Sequence, residues 1–387
     1  SGCLSLGHPS RGGLAYASVR ATERELFALL HRHSSKVEFA EPDGLIAKVP
    51  DLDRPSLEAG ASDENISAFA ATRVPWGLDR IDSRHGLSGS FDPIGTGDGV
   101  HVYVADTGIE VGHPDFEGRA TAAIESLGRG VVVCTPADPG CAADDNGHGT
   151  FCAGVVGGRM YGVAKGVTLH GVKVLDSQGE GKFSWFMAAL DWVAASGERP
   201  AVLSASLGAE GRSPSIQRSI EKLIADGVVV VVAAGNSGTD ACRFTPANVP
   251  SVIAVGATRP GDVRAYYSNF GPCVGLFAPG TMIVSDGIQG AVDVMASGTS
   301  MACPFVAGAA AIHLQLGTPA HGVAAALEST ATPGVIRHAG EGSPNLLLYV
   351  GSGAEAEATS AAAASPLTPL VLASAACSAH LACRGLA

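Results

Sequence analysis

An α/β fold built on a mostly parallel sheet, with helices on both faces, is what this sequence predicts, and three observations carry it. Apolar β-rich runs at 99–105, 168–175, 201–206, 227–233 and 252–256 alternate with helical patterns at 184–195, 213–225 and 300–316. The runs are near-continuous in Val and Ala, as strands buried on both faces are, and do not alternate apolar with polar. The chain of 387 residues is 46% hydrophobic and 16% charged, with 51 glycines, which suits a tightly turned enzyme and excludes a disordered or fibrous protein.

Taken in order, residues 14–44 read as a small separate unit. A helix is expected at 23–33, with Leu26, Leu29 and Leu30 on one face, followed by a strand-like Lys36-Val37-Glu38-Phe39-Ala40. Residues 45–71 mix Asp, Glu, Ser, Pro and Ala without periodicity and read as a linker. The alternating α/β region spans 72–350, and 351–387 is an Ala/Ser-rich low-complexity tail. In open parallel sheets, ligand sites lie beyond the carboxyl ends of the strands, so reactive residues are sought there.

A net charge of −12 argues against a general nucleic-acid binder, because phosphate binding draws on an excess of Lys and Arg. No run reaches the roughly 18 apolar residues of a membrane span. The start, Ser1-Gly2-Cys3-Leu4, shows no signal-peptide pattern and no initiating Met, so it leaves the compartment open. Nine cysteines is an odd number, so at least one thiol is unpaired within a monomer. Cys134/Cys141 and Cys377/Cys383 are close enough for short loops, while the partner of Cys3 stays open. The twelve histidines show no zinc-ligand spacing, and Gly95-Thr96-Gly97-Asp98-Gly99 precedes a strand, so it is no dinucleotide fingerprint.

Three segments place reactive groups at element ends. Asp106 closes the run 100–105 inside Asp106-Thr107-Gly108. His148 lies in Asp145-Asn146-Gly147-His148-Gly149-Thr150, and Ser300 lies in Ser297-Gly298-Thr299-Ser300-Met301-Ala302 at a helix start. A Ser hydroxyl needs a His to take its proton and a buried carboxylate to hold that imidazole. A helix N-terminus aims free N–H groups at a developing oxyanion. Ala233-Ala234-Gly235-Asn236-Ser237-Gly238 follows the valine run and presents the Asn236 amide as a further donor. Singly, these residues read as caps and turn formers. Together, in the order Asp106, His148, Asn236, Ser300, they point to acyl transfer. A lone Asp-Thr-Gly would require a symmetric dimer to serve as an aspartic peptidase. The segment around Ser300 lacks the last glycine of an α/β-hydrolase elbow. An inactive protein that kept the fold is the non-enzyme alternative.

On these segments the chain resembles the subtilisin-like serine peptidases of the proteinase K group. Trp76-Gly77-Leu78-Asp79-Arg80-Ile81 resembles their mature start, and His113-Pro114-Asp115-Phe116-Glu117-Gly118-Arg119 follows the Asp segment as it does in them. The resemblance covers about 74–350. It implies a three-layer fold around about seven mostly parallel strands. It also implies a secreted, monomeric zymogen that cleaves proteins or peptides, and a catalytic triad of Asp106, His148 and Ser300 with Asn236 in the oxyanion hole. Residues 1–44 then correspond to part of an inhibitory propeptide, and maturation is expected within 45–71. Gly179-Glu180-Gly181 and Ser206-Leu207-Gly208 match the strands that bind substrate backbone, and Ala234 and Gly235 match a pocket wall. With Ala209 at the rim and Phe183 upstream, apolar or aromatic side chains are expected before the cut.

The resemblance further implies a disulfide between Cys242 and Cys273, a free Cys152 beside the triad histidine, and a reduced Cys303. Phe151, Cys303 and Phe305 depart from the group's usual residues. No cofactor is required. The strong calcium site of the group falls on Pro250, Val252 and Gly275, and Gly275 removes its carboxylate, so only weak binding is expected there. Asp79 and Asp82 resemble a second, partial calcium loop.

Overall fold

The computed structural model describes residues 2–49, 74–128 and 130–352. Its main sheet runs in the order Thr332–Pro333, Leu346–Leu347, Leu276–Pro279, Ile253–Arg259, Val228–Ala233, Ala201–Ala205, His101–Asp106, Thr168–Lys173, Ala120–Gly128 and Gly130–Val133, with Val263–Arg264 beside Ile253–Arg259. Every pairing from Leu346–Leu347 across to Ala120–Gly128 is parallel. Antiparallel pairs occur only at the two edges and in the Val263–Arg264 ribbon. All five expected strands lie within this sheet. The two-residue Leu346–Leu347 extends the parallel run by one strand beyond the expected seven.

Strand alternation explains why both faces are covered. Val102, Val104, Val229, Val231 and Ala233 join one core with helices His148–Gly157 and Thr299–Gln315. Tyr103, Ala105, Val228, Val230 and Val232 join the other, with helices Phe183–Ser196 and Pro214–Ala225. Successive side chains of a strand point to opposite faces, so an all-apolar run must be sandwiched. Each fully buried Val contributes roughly 1.5–3 kcal/mol.

The N-terminal residues bring three corrections. Gly2–Leu6 and Ala17–Arg20 form an antiparallel pair that shows no strand signal in the sequence. Helix Glu23–Arg32 forms as expected, closed at its start by a reciprocal Thr22/Glu25 capping box. No strand forms at 36–40. The strand of this region is Leu45–Lys48, inside the stretch that reads as a linker. The reason is tertiary: Leu45–Lys48 finds two open strand edges to pair with. Residues 50–73 and the tail from 353, including Cys377 and Cys383, lie outside the described residues.

Acidic residues fasten this unit to the two helices beneath it. Asp43 accepts from Ser184 N (2.9 Å) and Ser184 Oγ (2.7 Å) at the start of Phe183–Ser196. Glu41 accepts from Ser213 Oγ (2.6 Å) at the start of Pro214–Ala225. Negative groups are favoured at helix N-termini by roughly 0.3–1 kcal/mol each. In return, buried Asp191 of the first helix accepts from His8 N (3.0 Å) and Leu14 N (2.5 Å).

Candidate active site

Asp106 ends its strand at the carboxyl edge of the main sheet, and its Oδ1 meets His148 Nδ1 at 2.7 Å. Both side chains are buried. The same carboxylate oxygen accepts from Thr107 N at 2.8 Å. A carboxylate on Nδ1 fixes the imidazole with its Nε2 available for proton transfer.

The loop before His148 is built around Asp144. Its Oδ1 accepts from Thr107 Oγ1 (2.8 Å), Asn146 N (3.0 Å) and Gly147 N (2.8 Å). Its Oδ2 accepts from Thr150 N (2.8 Å) and Thr150 Oγ1 (2.6 Å). Burial pushes the Asp144 carboxyl up, but the hydrogen bonds from Thr150, Gly147 and Asn146 outweigh it and hold it below the usual range. Sequence reasoning passed over Asp144. The available signal was an Asp-Asp-Asn run four residues before a loop histidine.

Ser300 sits in the first turn of helix Thr299–Gln315. Pro304, four residues on, has no N–H, so the Ser300 carbonyl lacks its helical donor. That carbonyl accepts from Ser206 Oγ (2.9 Å) and Cys152 Sγ (3.6 Å) instead. The cleft strand and the histidine helix are thereby tied to the serine. Cys303 is fully buried, and burial pushes its thiol up to about 12, which leaves it protonated. Phe151 and Phe305 are buried among apolar neighbours.

Asn236 is oriented by Thr299, a residue of the serine segment to which the sequence reading gave no role. Asn236 Oδ1 accepts from Thr299 N (2.9 Å) and Thr299 Oγ1 (2.8 Å), so its amide nitrogen faces the opposite way. A Cβ on Gly298 would stand 2.9 Å from that nitrogen. Gly235 has φ +100°, and a side chain there would collide with Asn269, whose Nδ2 donates to Ala234 O at 2.8 Å. Cys242 and Cys273 are bonded, as are Cys134 and Cys141, while Cys3, Cys152 and Cys303 form no disulfide with another described residue.

The strands carrying Gly179–Gly181 and Ser206–Gly208 are not open. Leu45–Lys48 lies antiparallel between Glu180–Lys182 and Leu207–Glu210, with Phe244–Thr245 on the outer edge. Lys48 N donates to Gly179 O (2.8 Å), and Val49 N donates to Ser206 O (3.2 Å). Ser300 Oγ then donates to Val49 O at 3.2 Å. Ile46 and Val49 are buried while Leu45 is exposed. A Cβ on Gly181 would come within 2.4 Å of Val174 O, so only glycine fits at that place in the wall. Phe183 packs its ring on Gly44, one residue beyond the strand.

The positions expected to hold calcium offer few oxygens aimed at one point. A carboxylate is missing at Gly275. Asp79 Oδ1 accepts from Ser88 N (2.6 Å) and Gly89 N (3.0 Å), and Asp82 Oδ2 accepts from Asp92 N (2.6 Å). Backbone N–H groups aimed at these oxygens occupy directions that a cation would need. Arg80 pairs with Asp262 at 2.7 Å. Arg84 stacks on the Tyr349 ring at 3.6 Å.

Among the described residues no helix is long and apolar enough to cross a membrane. Residues 97–353 match the Subtilase family. The chain is 46% identical over 326 residues to an extracellular serine proteinase of Thermus sp. (strain Rt41A), covering 81% of this chain and 77% of that one. It is 40% identical to proteinase R of Parengyodontium album, over 76% of this chain and 75% of the other. Among solved structures it resembles a cold adapted subtilisin-like serine proteinase. There the identity is 40% and the TM-score 0.67, over 72% of this chain and 98% of that one.

Proposed function

The chain belongs to the subtilase family of serine endopeptidases, and from that premise we propose that Ser300, His148 and Asp106 cleave peptide bonds with residues 1–49 as the first substrate. The contact of Ser300 Oγ with Val49 O, at the end of a strand paired on both sides, supports this most directly. Ser300 Oγ attacks the carbonyl carbon while His148 takes the hydroxyl proton. Charge on the oxygen is met by the Asn236 amide and the N–H groups opening the helix. His148 then returns the proton to the leaving nitrogen, and water releases the acyl group. Added-strand pairing is tolerant of sequence because the main chain supplies the bonds. Selectivity falls to the buried positions, which Val49 and Ile46 fill with apolar side chains. Residues 1–49 would remain on the cleft as inhibitor after the cut, and the extracellular setting of the Thermus relative is proposed for this enzyme too.

N-terminal sequencing of expressed protein tests the reading. Unaltered protein should start at Pro50 or beyond, and Ser300→Ala should stay full length. An Ser300→Ala chain that still matures by itself overturns the assignment. Asn236→Ala should lower turnover by roughly 10²–10³, the established cost of deleting one oxyanion-hole donor in subtilisin, with little change in the Michaelis constant. Peptide libraries should show apolar residues before the cut, and a demand for Lys or Arg there refutes the pocket. Calcium is proposed to bind weakly at most. A Cβ at Gly275 would make only ordinary contacts, the nearest at 3.6 Å. Gly275→Asp should therefore create a calcium-dependent rise in melting temperature that the parent lacks.

A further inference from the structure

His101 and His170 stand side by side at the amino ends of neighbouring strands, with Nδ1 of the first 2.9 Å from Nε2 of the second. Glu198, in the connection before strand Ala201–Ala205, places a carboxylate oxygen 3.7 Å from His101 Nε2. One ligand atom from each of the three residues lies within 4.8 Å of the others. We propose that His101, His170 and Glu198 form a binding site for one zinc-class transition-metal ion, at the opposite end of the strands from Asp106.

Four observations carry this. Two imidazole nitrogens bound to one zinc at 2.0–2.1 Å lie about 3.3 Å apart at a tetrahedral angle, a few tenths of an ångström from the spacing found. Thr121 Oγ1 donates to Leu169 O (3.4 Å), so it accepts from His170 Nδ1–H (3.1 Å), which leaves the Nε2 lone pair facing His101. The Thr121 hydroxyl occupies the place on the far nitrogen where metal-bound histidines keep an acceptor that fixes the ring. The Tyr103 ring stacks on His170 at 4.5 Å, and Glu198 N donates to Tyr103 Oη at 2.6 Å, so both ligand-bearing segments are held by one tyrosine. Finally, His101 is partly exposed and Glu198 mostly so, which gives an ion a path in and a carboxylate able to turn onto it.

The nearby cation Arg199 spends its guanidinium on the carbonyls of Val193, Gly197 and Glu198. Binding displaces only the proton shared between the two rings. The ion would cross-link three segments of the sheet's lower edge without touching the cleft. From Asp106 the site is five residues along one strand, about 17 Å.

Equilibrium dialysis of the full chain against Zn²⁺ at pH 7.5 tests the proposal. Asp106, His148 and Cys152 also bring ligand atoms together, so the arms must separate the two places. One zinc per chain should be retained by Cys152→Ala. His101→Gln should lose it by at least about 100-fold in affinity, since losing a ligand costs more than losing its outer partner. Glu198→Gln alters a mostly exposed side chain that leaves the fold intact, and should weaken binding about tenfold. Cobalt(II) should give a visible ligand-field band that disappears in His101→Gln, whose peptidase turnover should match the parent. Zinc that follows Cys152, zinc indifferent to both His101 and Glu198, or no zinc bound overturns the site.

Discussion

The two ends of helix His148–Gly157 bury carboxyl groups in opposite ways. At its start Asp144 accepts five hydrogen bonds, every one from a residue within the Asp106 or His148 segments. Toward its end Asp286 is fully buried beside Gly154, and neither of its oxygens accepts a bond from a described N–H or O–H donor. Its neighbours are Asp115 and His113. His113 has its Nδ1 on Asp115 N (3.2 Å) and 3.6 Å from Asp286 Oδ1, and its Nε2 on Ala291 O (3.2 Å). Burial, then the Asp115 charge, pushes Asp286 up to about 8. Position in a protein does not decide the state of a buried acid; the donors around it do.

Three substitutions would break or sharpen that contrast. Asp144→Ala should have the largest effect, because it strands the donors that hold the histidine loop. Stability should fall by about 2–4 kcal/mol, read by urea unfolding in a Ser300→Ala background, and turnover should fall with it in active enzyme. Unchanged stability would mean that the loop is held by something other than Asp144.

Asp286→Asn is expected to act only over part of the pH range. In the folded protein Asp286 keeps a proton that the unfolded chain releases near pH 4. Stability therefore falls as pH rises from about 4 to about 8, and levels off above that. The Asn variant should melt close to the parent at pH 5 and several degrees above it at pH 9. A constant difference across that range would show that the acid does not titrate in this window. Asp144 runs the other way: its contribution is present above the usual carboxylate range and is lost as pH falls through its lowered value.

The smallest effect is expected of Asp115→Asn. The Asn oxygen can still accept from Met160 N, now 2.9 Å from Asp115 Oδ1, while the charge facing Asp286 is gone. The upper limit of the pH window should move down by about one unit. A window that stays in place would assign the shift of Asp286 to burial alone.

Much of the molecule was legible from residue order. Unbroken Val and Ala runs name strands that must be covered on both faces, and Asp106, His148, Asn236 and Ser300 stand out because each ends or opens such an element. These are local signals: period, cap and turn chemistry act over a few residues and are written in the chain. Other features depend on which distant segments meet. Lys36–Ala40 has the composition of a strand and forms none, whereas Leu45–Lys48 becomes one because Glu180–Lys182 and Leu207–Glu210 leave a gap of one strand between them. Asp144 and Asp286 are both acids in loops, yet one meets five donors and the other meets Asp115. His101 and His170 lie 69 residues apart, and only parallel pairing of their strands sets their rings 2.9 Å from each other. Sequence alone determined the central strands, the helices that cover them and the order of the reactive residues. Tertiary structure decided what fills the cleft, which carboxyls keep their protons and where two imidazoles meet, because pairing and desolvation are set by neighbours in space.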